Sequence, residues 1–189
     1  MPEMPEPQFI PHAYNVPLTP SFVYRRFGFN SFLPAEFTDF IDESMSWKQT
    51  ASLGDWSPLF KLRVKGPDAL RFFSDLSING FGAMAIGQAK HAVFCTDDGK
   101  VVGDGVLMRL DEQDFYYQSG PGALWAKFMF AQGKYEATCE DVTSDGFIFQ
   151  VSGPNSLYIL EKATGESLRD IGFMRFRETA IDGMKFLAL

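Results

Sequence analysis

Residues 64–70 read Val64-Lys65-Gly66-Pro67-Asp68-Ala69-Leu70, and 87 residues later the chain reads Val151-Ser152-Gly153-Pro154-Asn155-Ser156-Leu157. Seven positions correspond without a gap. In both copies an apolar strand runs into a Gly-Pro step, and an apolar helix follows. Proline suits the first turn of a helix, where its missing N–H costs nothing. Two such units in one chain predict a duplicated strand–helix element.

Outward from the first copy, Phe60, Leu62 and Val64 alternate with Lys61, Arg63 and Lys65. That alternation predicts a half-buried strand over 60–65 with its three cations facing water. Leu70, Phe73 and Leu76 mark the stripe of the helix after Gly66-Pro67. Further strands are predicted over 89–95 and 101–110, joined by Asp97-Asp98-Gly99, and over 115–119. Glycine supplies the positive φ at which a hairpin reverses. A helix is predicted from Ala123 to Gln132, then strands over 135–142 and 147–152, and a helix from Pro154 to Ala163. Two last strands, 175–181 and 184–189, flank Asp182-Gly183. Toward the N-terminus, Pro34 opens a helical stretch carrying Phe37, Phe40, Ile41 and Trp47. Six prolines before residue 21 predict an extended arm, and the ring-rich stretch Phe22–Phe32 after it predicts a packed segment. Hairpins with interposed helices predict an α+β fold with a mainly antiparallel sheet. The domain boundaries are 1–33 for the Pro- and Phe-rich arm and 34–189 for the domain.

The chain has 189 residues, 46% hydrophobic and 22% charged, with a net charge of −7 and 20 phenylalanines. This is the composition of one soluble domain with ring surface for a core and a pocket. The acidic balance argues against nucleic acid and an acidic membrane surface as partners. No apolar run reaches the roughly 20 residues of a membrane span, and the opening residues lead us to expect no secretory signal. Cys95 and Cys139 form no C-x-x-C pair, which favours reduced, buried thiols in a cytoplasmic protein. With only His12 and His91 besides, no zinc site is expected. His91, sharing a strand face with Val93, reads as a satisfied, half-buried histidine. Arg175 and Arg177 read as solvated cations paired with surface acids, or as contacts for an anionic tail.

Three runs carry a resemblance: Gly54-Asp55-Trp56-Ser57 through Gly66-Pro67-Asp68-Ala69, Asp98-Gly99-Lys100-Val101-Val102-Gly103-Asp104-Gly105-Val106, and Val151-Ser152-Gly153-Pro154. As an ordered set they resemble the aminomethyltransferase folate-binding family, which includes the glycine-cleavage T-protein. The branch most similar is that of the tetrahydrofolate-dependent aromatic O-demethylases, which share Pro34 to Phe37, Gly87 to Lys90, the Gly103-Asp104 pair and Ile181 to Lys185. The T-protein has two adjacent aspartates where this chain has Gly103-Asp104. The resemblance implies tetrahydrofolate as cofactor and transfer of a methyl or other one-carbon group from a small-molecule donor such as a methoxylated aromatic acid. It also implies a chain that stops where the family's next motif would begin. The expectation is therefore an N-terminal part of a longer protein, completed by a missing C-terminal half or by a second copy. A folate-binding module without turnover is the alternative. A relative of the iron–sulphur assembly factors is a third, although neither cysteine has the Lys-Gly-Cys context those proteins use.

Under this resemblance Asp104 is the expected catalytic and pterin-anchoring acid, since a carboxylate can accept two hydrogen bonds from a pterin's polar edge. Gly103 and Gly105 beside it would let a ligand approach the backbone. Trp56, Tyr117 and Trp125 can stack on flat rings or can pack in the core. Gln118 can read a polar edge or cap the Gly120 loop. Val106 completes the expected folate site. Asp104 is then expected to face a concave, partly aromatic pocket near Trp56 or Tyr117. In a regular strand Asp104 shares a face with Val102 and Val106, so the role calls for a bulge at Gly103 or Gly105 or for a pocket on that face.

Overall fold

The computed structural model describes residues 23–27 and 31–189. The expected arm over residues 1–20 lies outside the described residues. The chain divides into two compact units, Met1–Pro58 with Phe147–Leu160, and Leu59–Gly146 with Glu161–Leu189.

In the first unit, β1 (Tyr24–Phe27) and β2 (Ser31–Pro34) form an antiparallel hairpin. Pro34 therefore closes a strand and does not open a helix. The helix α1 (Phe40–Gln49) starts later, at Asp39, whose carboxylate accepts from the N–H groups of Ile41 and Asp42. A local cap decides the start, because it satisfies helix donors that have no partner within the helix. β3 (Ser52–Asp55) then pairs antiparallel with β9 (Phe149–Ser152).

The second unit is built on a five-stranded, wholly antiparallel sheet in the order β5-β6-β7-β4-β8. Its strands are β4 (Phe60–Lys65), β5 (Gln88–Cys95), β6 (Val101–Asp111), β7 (Asp114–Ser119) and β8 (Thr138–Asp141). The helices α2 (Ala69–Leu76) and α3 (Pro121–Gln132) pack on the sheet. Leu62, Val64, Ala92, Phe94, Leu107, Phe115 and Tyr117 from the strands meet Phe72, Phe73, Ala123 and Ala126 from the helices in one core. The expected stripe of α2 lacked Phe72, which is fully buried and holds Phe73, Phe130 and Tyr135 within 5.2 Å, ring centre to ring centre. Each such ring contributes about 1.5–3 kcal/mol on leaving water. The helix α4 (Ser156–Thr164) follows β9, and β10 (Arg177–Ile181) pairs with β11 (Met184–Ala188) around Asp182 and Gly183, both at positive φ. Among the described residues no helix is long and apolar enough to cross a membrane.

The two Gly-Pro junctions are equivalent in detail. Gly66 and Gly153 have φ of 136° and 125°. In each copy the first helical N–H donates back to the glycine carbonyl at 3.0 Å, Ala69 to Gly66 and Ser156 to Gly153. Each junction also lies against the chain entering an antiparallel strand. The backbone N–H of Asp68 donates to Glu136 O ahead of β8, and that of Asn155 donates to Thr50 O ahead of β3. Helix-then-strand (α3–β8, α1–β3) thus embraces strand-then-helix (β4–α2, β9–α4) twice.

One expectation about β4 is overturned. Lys61 does not face water: it is fully buried, and its ammonium donates to the carbonyls of Leu59 (3.0 Å) and Thr143 (3.1 Å). A buried ammonium is tolerable only when its donors are satisfied. Here the strand's own lead-in and the 3-10 turn Thr143–Asp145 supply the acceptors. Arg63 does reach the surface side, where it forms a two-pronged bridge to Asp114 at 3.0 and 2.7 Å.

Candidate functional site

The β5–β6 hairpin carries the candidate acid. Gly99, at φ 80°, turns the chain, and Thr96 N–H donates to Lys100 O at 2.9 Å. Cys95 pairs with Val101 but Phe94 pairs with Gly103, so Val102 is the extra residue of a bulge. Beyond it the pairing is regular: Val93 with Asp104, Ala92 with Gly105, His91 with Val106. The bulge thus falls one residue ahead of Gly103. It leaves Asp104 on the same face as Val106, and puts Gly103, Gly105 and Leu107 on the core face.

That arrangement reassigns the two glycines. A Cβ at Gly103 would lie 2.7 Å from Gly122 Cα, and one at Gly105 would lie 2.7 Å from Ser119 Cβ and closer still to Gln118 O. The close approach they permit is that of α3 and β7, not of a ligand. Ser119 Oγ reinforces the junction by donating to Asp104 O at 2.7 Å.

The Asp104 carboxylate stands on the other face with its side chain 64% exposed, and Oδ2 lies 2.8 Å from His91 Nε2. The acid is exposed on the sheet face that also carries Val106 and Gln118. His91 is likewise exposed rather than half-buried, which corrects its reading as a core residue. The cross-strand pairs continue the row: His91 opposes Val106, Val106 opposes Gln118, and Gln118 opposes Lys61. Gln118 and Val106 are half-buried, so an amide and a carboxylate flank an apolar spot.

The aromatic candidates separate. Tyr117 is fully buried on the core face, its ring 4.8 Å from Phe94 and 5.8 Å from Phe73. Among the described residues its hydroxyl makes no hydrogen bond of normal geometry; the nearby Ser119 hydroxyl pulls its pKa down, but burial outweighs that and pushes it up to about 12. Tyr117 is a core ring and not a stacking platform. Trp125 is half-buried on α3, 5.9 Å from Phe94 and packed on the core, so it too lies behind the sheet from Asp104. Trp56, 40% exposed, follows β3 in the first unit. The structure therefore brings together Asp104, Val106 and Gln118 and adds His91. Sequence reasoning missed the His91–Asp104 pair because the bulge at Val102 sets which residues of β5 and β6 share a face.

Of the remaining candidates, Arg177 is held by Asp170 and Glu166, as a cation paired with surface acids. Cys95 and Cys139 are free thiols, and burial pushes that of Cys139 up to about 11.

Comparison with known proteins gives a consistent picture. Residues 14–189 match the family model described as the GCVT N-terminal domain. The chain is 36% identical over 159 residues to a sesamin methylene transferase of Sinomonas sp. (strain No.22), covering 81% of this chain and 34% of that protein. It is 35% identical over 168 residues to a syringate O-demethylase of Sphingobium sp. (strain NBRC 103272 / SYK-6), covering 83% and 36%. An aminomethyltransferase of Oceanobacillus iheyensis is 28% identical over 163 residues, covering 83% and 44%. The chain thus spans about a third to under half of the length of these relatives. In fold it resembles the glycine cleavage system aminomethyltransferase T of Bartonella henselae, with a TM-score of 0.72 at 21% identity over 84% of this chain and 44% of that one.

Proposed function

This chain belongs to the GCVT N-terminal domain family, and on that premise we propose that it is the folate-binding portion of a tetrahydrofolate-dependent one-carbon transferase, of the aromatic O-demethylase type. The observation that carries the reading is Asp104, an exposed carboxylate on the sheet face at the hairpin that resembles the family's. The Sinomonas methylene transferase and the Sphingobium syringate O-demethylase, both above 30% identical, favour a small methoxylated or methylenedioxy aromatic as donor.

The donor–acceptor set on this face fits a reduced pterin. A carboxylate offers only acceptors, an amide offers both kinds of group, and a pterin's polar edge presents N–H donors beside a carbonyl. Asp104 would hold the N–H groups and Gln118 the mixed edge, with Val106 beneath the ring plane as the apolar contact. Tetrahydrofolate supplies the nucleophilic nitrogen that accepts the one-carbon group. The chain's own contribution is to orient that acceptor: the backbone of Asp104 is paired with Val93 of β5 and accepts from Ser119 Oγ of β7, and positioning of this kind lowers a transfer barrier.

Calorimetry with tetrahydrofolate under anaerobic conditions tests the reading. Binding is expected, and Asp104→Asn should weaken it about 5- to 100-fold, the equivalent of ~1–3 kcal/mol for spoiling a charge-assisted hydrogen bond. Turnover of syringate or vanillate by this chain alone should stay far below about 1 s⁻¹, the low end of ordinary enzyme rates. Absence of binding, or an affinity indifferent to Asp104→Asn, would refute the proposal.

A further inference from the structure

We propose that His91 is a positioning residue that controls how far Asp104 is open to a ligand, and that it makes folate affinity fall as the pH drops. The inference rests on the folate reading of Asp104 and goes beyond it by assigning a residue that reading does not use.

A carboxylate is an acceptor only, so a 2.8 Å contact between Asp104 Oδ2 and His91 Nε2 places a proton on Nε2. His91 is therefore the Nε2–H tautomer or the imidazolium. In either form it holds one of the two oxygens that a two-donor pterin edge needs. The neutral tautomer shares Asp104 as an ordinary hydrogen-bond donor and keeps the carboxylate turned toward β5. The imidazolium adds an ion pair, and a ligand must then compete with a cation for the same oxygen.

The surroundings leave this competition undiluted. On β5, Lys90 reaches the other way, to Gly80 O. At the hairpin tip Lys100 pairs with Asp98. On β6, Arg109 donates to Met84 O and Glu112 O. On β7, Asp114 is taken by Arg63 and Lys65, and Gln118 is neutral. On β4, Lys61 serves Leu59 O and Thr143 O. On α3, Lys127 pairs with Asp141, and the Tyr117 phenol lies on the core side. Among the described residues, His91 alone is bound to the Asp104 carboxylate.

Linkage gives the direction: if protonated His91 holds Asp104 more tightly, bound folate and the His91 proton oppose each other by the same factor. Both side chains are more than half exposed (57% and 64%), so the factor is that of a surface pair, about two- to fivefold.

The test is tetrahydrofolate affinity by anaerobic calorimetry at pH 5.5, 6.5 and 7.5 for wild type, His91→Gln and Asp104→Asn. Glutamine retains a donor and lacks the titration. Wild type should lose about two- to fivefold more affinity between pH 7.5 and 5.5 than His91→Gln does. Equal pH slopes in wild type and His91→Gln, with Asp104→Asn impaired, would overturn this inference and leave the folate reading standing. An affinity insensitive to Asp104→Asn, or no binding by wild type, would overturn both.

Discussion

Gly105→Ala separates two accounts of the glycines beside Asp104. If Gly105 is there to admit a ligand, an added methyl group should cost affinity and leave stability alone. The structure predicts the reverse. A Cβ at this position would press on Gln118 O, and would lie 2.7 Å from Ser119 Cβ and 2.9 Å from Tyr117 Cε2. Overpacking of this kind costs about 1–3 kcal/mol. The nearest atom is a backbone carbonyl of β7, within the stretch where Gly105 pairs with Ser119 and Val106 with Gln118. It can retreat only by stretching ladder hydrogen bonds, at about 1 kcal/mol each. Alanine returns about 0.4–1 kcal/mol by restricting the unfolded chain. The balance is a loss of about 1–4 kcal/mol, a large share of the roughly 5–15 kcal/mol that holds a domain folded. Urea unfolding followed by tryptophan fluorescence and circular dichroism reads it directly. A variant as stable as wild type within about 0.5 kcal/mol, but weaker for folate, would show that the space belongs to a ligand and that the packing argument is wrong.

Three further outcomes are expected. Gly66→Ala and Gly153→Ala should each lose about 2–5 kcal/mol, because both need a positive φ and both bring Cβ within 2.7 Å of backbone at its nearest; Gly165→Ala, at φ 72° with open space, should lose only about 1–2 kcal/mol, and equal losses in all three melts would deny that the junctions are special. Burial, the largest single influence, pushes Asp114 upward, but the hydrogen bonds and charges of Arg63 and Lys65 together hold it below the usual carboxylate range. Its stabilising contribution is therefore present above the unfolded value near 4 and is lost as pH falls through the lower folded value; Asp114→Asn should lower stability at pH 6 and flatten the decline below pH 4, and parallel acid limbs for the two proteins would contradict this. Tyr117→Phe should raise stability by about 1 kcal/mol, since it deletes a buried hydroxyl that makes no hydrogen bond of normal geometry among the described residues while keeping the ring; a destabilised variant would mean that the hydroxyl is bonded in solution, with Ser119 as the nearby candidate.

Much of the fold was legible because its signals are local. Alternation located β4 at 60–65 to the residue, and the hairpins at Gly99 and Gly183 follow from glycine's freedom at positive φ, 80° and 81° in the structure. The Gly-Pro repeat was readable for the same reason, since strand, turn and helix are contiguous in each copy. The start of α1 is not legible locally: Pro34 and Asp39 both carry start signals, and only the pairing of Pro34 with Tyr24 in the hairpin decides between them.

What the sequence by itself determined is the antiparallel α+β class, the duplicated junction, and Asp104 as a carboxylate in a glycine-flanked hairpin. Tertiary structure decided which face each residue serves. The bulge at Val102 shifts the partners of β6 by one, and a shift of one residue exchanges the two faces of a strand. That step set Asp104 beside His91 and turned Gly103 and Gly105 toward α3 and β7, while pairing with Leu62 and Leu107 assigned Tyr117 to the core. Lys61 followed the same logic. Its charge predicts exposure, yet two carbonyls, one from Thr143 some 80 residues away in the chain, meet its ammonium inside. Periodicity reports which residues share a face, but the partners waiting on that face come from distant parts of the chain, and no local pattern encodes them.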